Sequence, residues 1–169
     1  MNNREKDLGG IVRINPYESE AYQSFVKAYK MDVSRPVKTE YEVWNVLEQY
    51  KEAVCLGCVE ACVNAISLIL ETELPRCHDD SSCYFRYGEL LVDMIEVLQK
   101  NHHPAGDYFY ALALCCGLGD EFICGSESEL DVSAGIMKMQ YLVHVGNPYA
   151  MNYASCHSIF KPLVVFGQS

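Results

Sequence analysis

The sequence predicts an all-α protein, a short right-handed stack of antiparallel helical hairpins, and two observations carry that prediction. The first is a faint self-similarity with a period of about 44 residues. Gly57-Cys58-Val59-Glu60-Ala61, His102-His103-Pro104-Ala105-Gly106 and Gly146-Asn147-Pro148-Tyr149-Ala150 stand at successive offsets of 45 and 44. The second is the register of the flanks. At 10, 7 and 4 positions before each segment lie Leu47, Tyr50 and Ala53, then Val92, Ile95 and Leu98, then Ile136, Met139 and Leu142. Steps of three keep such side chains near one face of a helix. Four positions after each segment start come Ala61, Gly106 and Ala150, small enough for a second helix to approach closely. At the eighth position Ala65, Tyr110 and Ala154 break the regularity, which predicts an irregular stack. A unit of this length is one helical hairpin, which cannot bury its own apolar face and leans on its neighbours.

The elements follow in chain order. Residues 1–16 read as an N-terminal lead-in, residues 17–161 as the helical-repeat domain and residues 162–169 as a C-terminal tail. Pro16 with Glu18 and Glu20 predicts the start of a first helix over 17–30, ended by Ser34-Arg35-Pro36. A second helix is predicted over 38–56, with Tyr41, Trp44, Leu47, Tyr50 and Val54 supplying bulk at steps of three and four. Gly57 makes the turn into a third helix over 58–73, apolar on most of its circumference. Pro75 is predicted to end that helix, with 73–82 as a loop. A fourth helix is expected over 82–100 and a fifth over 105–116, stopped by Gly117 and Gly119. A second loop covers 120–129, followed by a sixth helix over 130–145 and a seventh over 149–159. Pro162 leaves Leu163-Val164-Val165-Phe166 as an apolar tail that needs a place to dock.

Composition narrows the function classes. The 169 residues suit one compact domain or a short solenoid with a core of its own. Lys and Arg total 13 against 23 Asp and Glu, a formal charge of −10, which repels a phosphate backbone. The most basic window, 27–38, carries Lys27, Lys30, Arg35 and Lys38 but also Asp32, so no nucleic-acid partner is expected. The longest apolar run, 61–70, is interrupted by Asn64 and Ser67 and falls short of the about 20 residues that span a bilayer. The first residues, Met-Asn-Asn-Arg-Glu-Lys-Asp, lack the apolar core of a secretory signal and carry acids foreign to a mitochondrial presequence. A cytoplasmic address is expected, with mostly reduced cysteines. The alternative is an oxidising compartment, such as the mitochondrial intermembrane space, entered without a cleaved signal.

Over residues 41–158 the chain resembles the Sel1-like repeat family, a relative of the tetratricopeptide arrays. The best stretch is 106–154, with Tyr110-Ala111-Leu112-Ala113, the Gly117-x-Gly119 loop, Asp131, and then Val145-Gly146-Asn147-Pro148-Tyr149-Ala150. Cys55-Leu56-Gly57 followed by Ala61-Cys62-Val63-Asn64-Ala65 is similar to the family's cysteine-rich branch, in which cysteines on paired helices can be bridged. The chain departs from the pattern in three ways. A first copy near Ile14 is barely recognisable, His102 replaces the turn glycine, and the bridge position is not repeated at Leu98 or Leu142. The resemblance implies a protein-binding scaffold.

Nine cysteines invite other chemistry. Cys55, Cys58 and Cys62 read as core cysteines, as a Cys55–Cys62 bridge, or as part of a zinc site completed elsewhere. Cys77, His78 and Cys83 flank Asp79-Asp80 and could recruit Cys124 or His103, but without ordinary structural-zinc spacing. Cys115 and Cys116 are neighbours that do not readily bridge each other. Cys156-His157 suggests a thiol nucleophile, yet neighbours on a helix point about 100° apart. His102 or His144 could serve such a thiol only through tertiary contacts. Gly117-Leu118-Gly119 lacks the third glycine and the basic residue of a phosphate loop. No catalytic, cofactor or metal residue is therefore assigned.

The 12 tyrosines instead favour contact surfaces, with Tyr41, Trp44, Tyr87, Tyr108 and Tyr149 as candidate partner-contact aromatics. The expected function is a scaffold, adaptor or complex subunit that holds a neutral or basic protein or peptide. The alternatives are a cysteine-based redox or zinc-binding protein and a cysteine-dependent hydrolase.

Overall fold

The structure is a computed structural model that describes residues 19–78, 85–116 and 129–156. Within them lie seven α-helices and no strand: α1 Glu20–Val33, α2 Glu40–Cys55, α3 Glu60–His78, α4 Gly88–Lys100, α5 Pro104–Cys115, α6 Glu129–His144 and α7 Pro148–Cys156. The lead-in 1–16, the tail 162–169, Gly117, Gly119, Asp79, Asp80, Cys83, Cys124 and His157 fall outside the described residues. The chain divides into two compact units, Met1–Ala65 and Ile66–Ser169.

In the first unit the helix starts follow from capping. Ser19 accepts the Tyr22 N–H at 3.1 Å, and Glu20 stands in the first turn where the helix dipole favours an acid. Thr39 and Glu42 form a capping box at the start of α2, each side chain accepting the other's backbone N–H. The helix α1 continues to Val33, three residues beyond its expected end at Lys30, before Ser34 caps it. The helices α1 and α2 pack against each other.

The buried face of α2 is Val43, Val46, Leu47, Tyr50 and Ala53, whereas Tyr41 and Trp44 are exposed. This corrects the apolar series 41-44-47-50-54. At 100° per residue the buried set is centred near Tyr50, about 60° from Leu47, so Trp44 lies about 120° and Tyr41 about 180° from the middle of the core face.

In the second unit the expected loop over 73–82 is overturned for its first part, because α3 runs through Pro75 to His78. Proline removes only one donor, and the carbonyl four residues back belongs to Glu71, an exposed position where the loss of that bond costs least. The neighbouring Glu73 is 1 % exposed. Its carboxylate pairs with Arg76 and accepts the Arg86 N–H at 2.8 Å, tying the end of α3 to the entry of α4. The helix α4 begins at Gly88, after a turn at 86–87, later than the expected start at 82.

The three expected chain reversals share one hydrogen-bond pattern. Cys58, His103 and Asn147 each donate a backbone N–H to the carbonyls of Ala53, Leu98 and Leu142, all at 2.9 Å. Gly57, His102 and Gly146 donate to Val54, Gln99 and Val143. These are Schellman motifs, which satisfy the last carbonyls of a helix and require a left-handed residue at the pivot. The pivots are Gly57 at φ 103°, Gly146 at φ 82° and His102 at φ 54°. His102 thus adopts the glycine conformation that its position demands.

Within the second unit α4 packs on α5, α5 on α6, and α7 on both α5 and α6. The Asn147 side-chain amide donates to the Pro104 carbonyl at 2.8 Å, so the turn of one hairpin touches the turn of the next. Gly106 and Gly135 set the close approaches. A Cβ on Gly106 would lie 2.9 Å from the Gln99 backbone, and one on Gly135 only 2.5 Å from the Cys115 backbone. The core there is Ala111, Met139, Leu142, Ala150 and Ala154.

Candidate functional site

The described residues offer their most developed surface on the α1–α2 hairpin of the first unit. Its polar groups form two linked sets. In the outer set, Arg35 Nη1 donates to Glu42 Oε1 at 2.6 Å, while Glu42 Oε2 accepts the Thr39 N–H at 2.8 Å. The backbone N–H and then the hydroxyl of Thr39 hold the Glu42 carboxyl below its ordinary value against an opposing cost of desolvation, with the Arg35 charge a lesser contributor in the same direction as Thr39.

In the inner set, Lys38 Nζ pairs with Asp32 Oδ1 at 2.9 Å, and the Tyr50 hydroxyl donates to Asp32 Oδ2 at 2.9 Å. Asn64 Nδ2 then donates to the Tyr50 oxygen at 3.3 Å. Burial, reinforced by the Asp32 bond, raises the Tyr50 hydroxyl well above the ordinary tyrosine range. Tyr50 is fully buried, so this chain satisfies a polar tip inside the hairpin core.

A small cavity of about 210 Å³ is lined by Met31, Ser34, Arg35, Lys38, Glu42, Asn45 and Val46. On α2, Tyr41, 71 % exposed, and Trp44, 49 % exposed, hold stacked rings 6.4 Å apart at an interplanar angle of 26°. Exposed Glu40 and Glu52 and half-buried Glu48 lie on the same helix. The surface combines exposed aromatic faces with nearby carboxylates.

The other candidate aromatics sit differently. Tyr87 is half-buried at the entry to α4. Tyr108 and Tyr149 stack on each other at 5.8 Å, and Tyr108 also meets Tyr153 and Phe109, so these two rings serve packing in the second unit. Burial pushes the Tyr108 hydroxyl up to about 12.

The cysteines divide between core and surface. Cys55, Cys58, Cys62, Cys115, Cys116 and Cys156 are free thiols in this structure; Cys55 and Cys156 are exposed, whereas Cys58 and Cys62 are buried. Burial, with Cys58 and Glu60 nearby, pushes the Cys62 thiol up to about 12, and burial followed by Cys116 pushes Cys115 to about 11. Cys58 and Cys116 are raised by burial as well. Thiols raised in this way stay protonated at neutral pH, which makes them poor nucleophiles. Among the described residues no group of three or more His, Cys, Asp or Glu is placed to hold a metal ion. None of their helices is long and apolar enough to cross a membrane.

Set against models of known protein families, curated proteins and solved structures, the chain matches none. Its own residues therefore carry the functional reading. Sequence analysis had singled out Tyr41 and Trp44 but missed the chain Lys38–Asp32–Tyr50–Asn64. Polar residues set 18 and 14 positions from Tyr50 leave no periodic trace, and only the fold brings them together.

Proposed function

We propose that this chain is a protein-interaction scaffold or complex subunit of the Sel1-like, tetratricopeptide-like kind, built as a short right-handed stack of hairpins. It holds a neutral or basic protein segment on the outer face of α2. The observation that carries this reading is the exposed, mutually stacked pair Tyr41–Trp44 on a helix rich in acids. Large aromatic side chains left in water on a rigid helix are the usual anchors of interfaces. An Arg or Lys of the partner would lie on the ring faces, with the exposed Glu52 on the same helix to attract it. The recurrence of one Schellman turn at offsets of 45 and 44 supports the repeat assignment.

The test begins with proteins captured from the native source by the full chain. Trp44 is the single tryptophan, so its fluorescence reports directly on the proposed contact. Titration with a captured partner should shift that emission, and Tyr41→Ala with Trp44→Ala should weaken binding by about 2 kcal/mol or more. Binding should also weaken as salt rises. Equal affinity of the double variant and the parent would refute the site, and salt-insensitive binding would refute the charge preference.

A further inference from the structure

The cavity of the α1–α2 hairpin adjoins the Tyr41–Trp44 pair. Asn45 lines it and stands one helical turn after Tyr41, so the two side chains are neighbours on the surface of α2. At about 210 Å³ the cavity falls below the roughly 300–1,000 Å³ of pockets that hold cofactors and drug-sized ligands, which leaves room for a single side chain.

Its charged groups are already engaged. Arg35 donates to Glu42 Oε1 at 2.6 Å, and Glu42 Oε2 accepts both the backbone N–H and the hydroxyl of Thr39. Lys38 pairs with Asp32 at 2.9 Å, and its side chain is only 11 % exposed. Two cations thus answer two carboxylates. An incoming ion of either sign would have to break one of these pairs or give up its water without a counter-charge. The further N–H groups of Arg35 belong to a side chain 69 % exposed, where an ion pair adds little.

The hydrogen-bonding capacity still unspent suits a neutral group. Lys38 Nζ has three N–H donors and uses two, on Asp32 and on the Arg35 carbonyl at 3.0 Å. Half-buried Asn45 bonds to none of the described residues, which leaves its amide donors and its carbonyl open. Met31 and Val46 add apolar wall.

We propose that this cavity receives the carboxamide of an Asn or Gln side chain from the partner segment. Such a group exchanges a pair of N–H to oxygen bonds with the Asn45 amide, and its carbonyl has a second lone pair for the third Lys38 N–H. Its methylene stem meets Met31 and Val46. In an extended segment alternate residues point the same way about 6–7 Å apart, so a basic residue on the rings and an amide two positions along would occupy both places. The inference rests on the interaction reading and supplies what the rings lack, a source of sequence specificity, because their faces accept Arg and Lys alike.

The probe is propionamide, with propionate and propylammonium as ionic counterparts of similar size. Each is titrated into the full, unaltered chain at constant ionic strength while NMR follows the Asn45 side-chain amide and the Met31 methyl. Propionamide should move both signals along a saturating curve, and the ionic probes at equal concentration should move them about one-fifth as far or less. Asn45→Leu should abolish the saturating response at Met31. An equal response to propionate would mark a carboxylate pocket, and an equal response to propylammonium a cation pocket. Either would overturn the proposal, as would shifts that never saturate or an Asn45→Leu chain that responds like the parent. Propionamide reports on the cavity and not on the rings, so a refuted Tyr41–Trp44 contact and a cavity without amide binding are separate outcomes.

Discussion

The hairpin α2–α3 and the hairpin α6–α7 reverse the chain in the same way and differ in what surrounds the reversal. Both pivot on a left-handed glycine, Gly57 or Gly146, and in both the residue after the pivot, Cys58 or Asn147, donates its backbone N–H to the carbonyl of a buried residue four positions before the pivot, Ala53 or Leu142. Eleven residues before the pivot, however, α2 carries buried Val46 and α6 carries Gly135. On the outside, α2 carries Glu48 and Glu52 where α6 carries Met137 and Tyr141. The turn is the part that backbone chemistry dictates. The flanks are free to follow whatever each helix meets, and there the two hairpins have acquired different surfaces.

The sharpest way to break this equivalence is to exchange the inner residues. Gly135→Val should destabilise the second unit by about 3 kcal/mol or more, because its Cβ meets the Cys115 backbone at 2.5 Å and the Leu114 carbonyl carbon at 2.8 Å, neither of which can swing aside. The reverse exchange, Val46→Gly, opens a gap and loosens a helix instead, at a cost of about 2 kcal/mol. Urea unfolding of the two variants measures both, and a Gly135→Val protein as stable as the parent would remove the close approach of α5 and α6 from the account.

The pivots give a smaller and more discriminating effect. No atom lies within 4 Å of a Cβ built on Gly57 or Gly146, so replacement by Ala is resisted by backbone strain alone. Each should lower stability by about 1 kcal/mol. His102→Gly should move in the opposite direction by a similar amount, since it releases a side chain already held at φ 54°. Thermal melts of the three single variants, with one gain beside two losses, would establish that the turns are chemically equivalent despite the different residue. A loss at His102 would instead show that its side chain contributes contacts of its own.

The smallest expected effect concerns pH and the α2 cap. The folded Glu42 pKa is held below 4.5 by Thr39 and Arg35, so the box contributes stability in full above the unfolded value. That contribution fades as pH falls through the folded value. Carbon-detected NMR titration of Glu42 should place its midpoint below 4.5, and Thr39→Ala should move the midpoint upward. An unmoved midpoint would assign the shift to Arg35.

Much of the helical order was legible because it rests on local rules. The series 47-50-53, 92-95-98 and 136-139-142 marked core faces; all are buried except Val92 and Ile136, which are half-buried. Small residues at Ala61, Gly106 and Ala150 marked close contacts, and all three are buried. His102 at a glycine position looked like a departure, yet the turn geometry overrode the side chain. What failed did so for reasons of context. Pro75 reads as a helix end, but Glu73 anchors the following segment through Arg76 and Arg86, and only the folded chain supplies those partners. Tyr41 and Trp44 were legible as contact candidates by residue type alone. Their exposure and mutual stacking were not, because a step of three residues does not say on which side of the helix a neighbour will pack.

The sequence by itself determined where the chain turns and which residues face inward beside each turn. Hydrogen bonding at a helix end and the 3.6-residue period depend only on near neighbours. Tertiary structure alone decided that Glu73 is buried and paired, that Asp32, Tyr50 and Asn64 share one hydrogen-bonded chain, and that α6 turns an apolar stripe outward. Each of those outcomes depends on which distant residue arrives opposite, and burial of a polar or apolar group is a property of the pair and not of either residue alone.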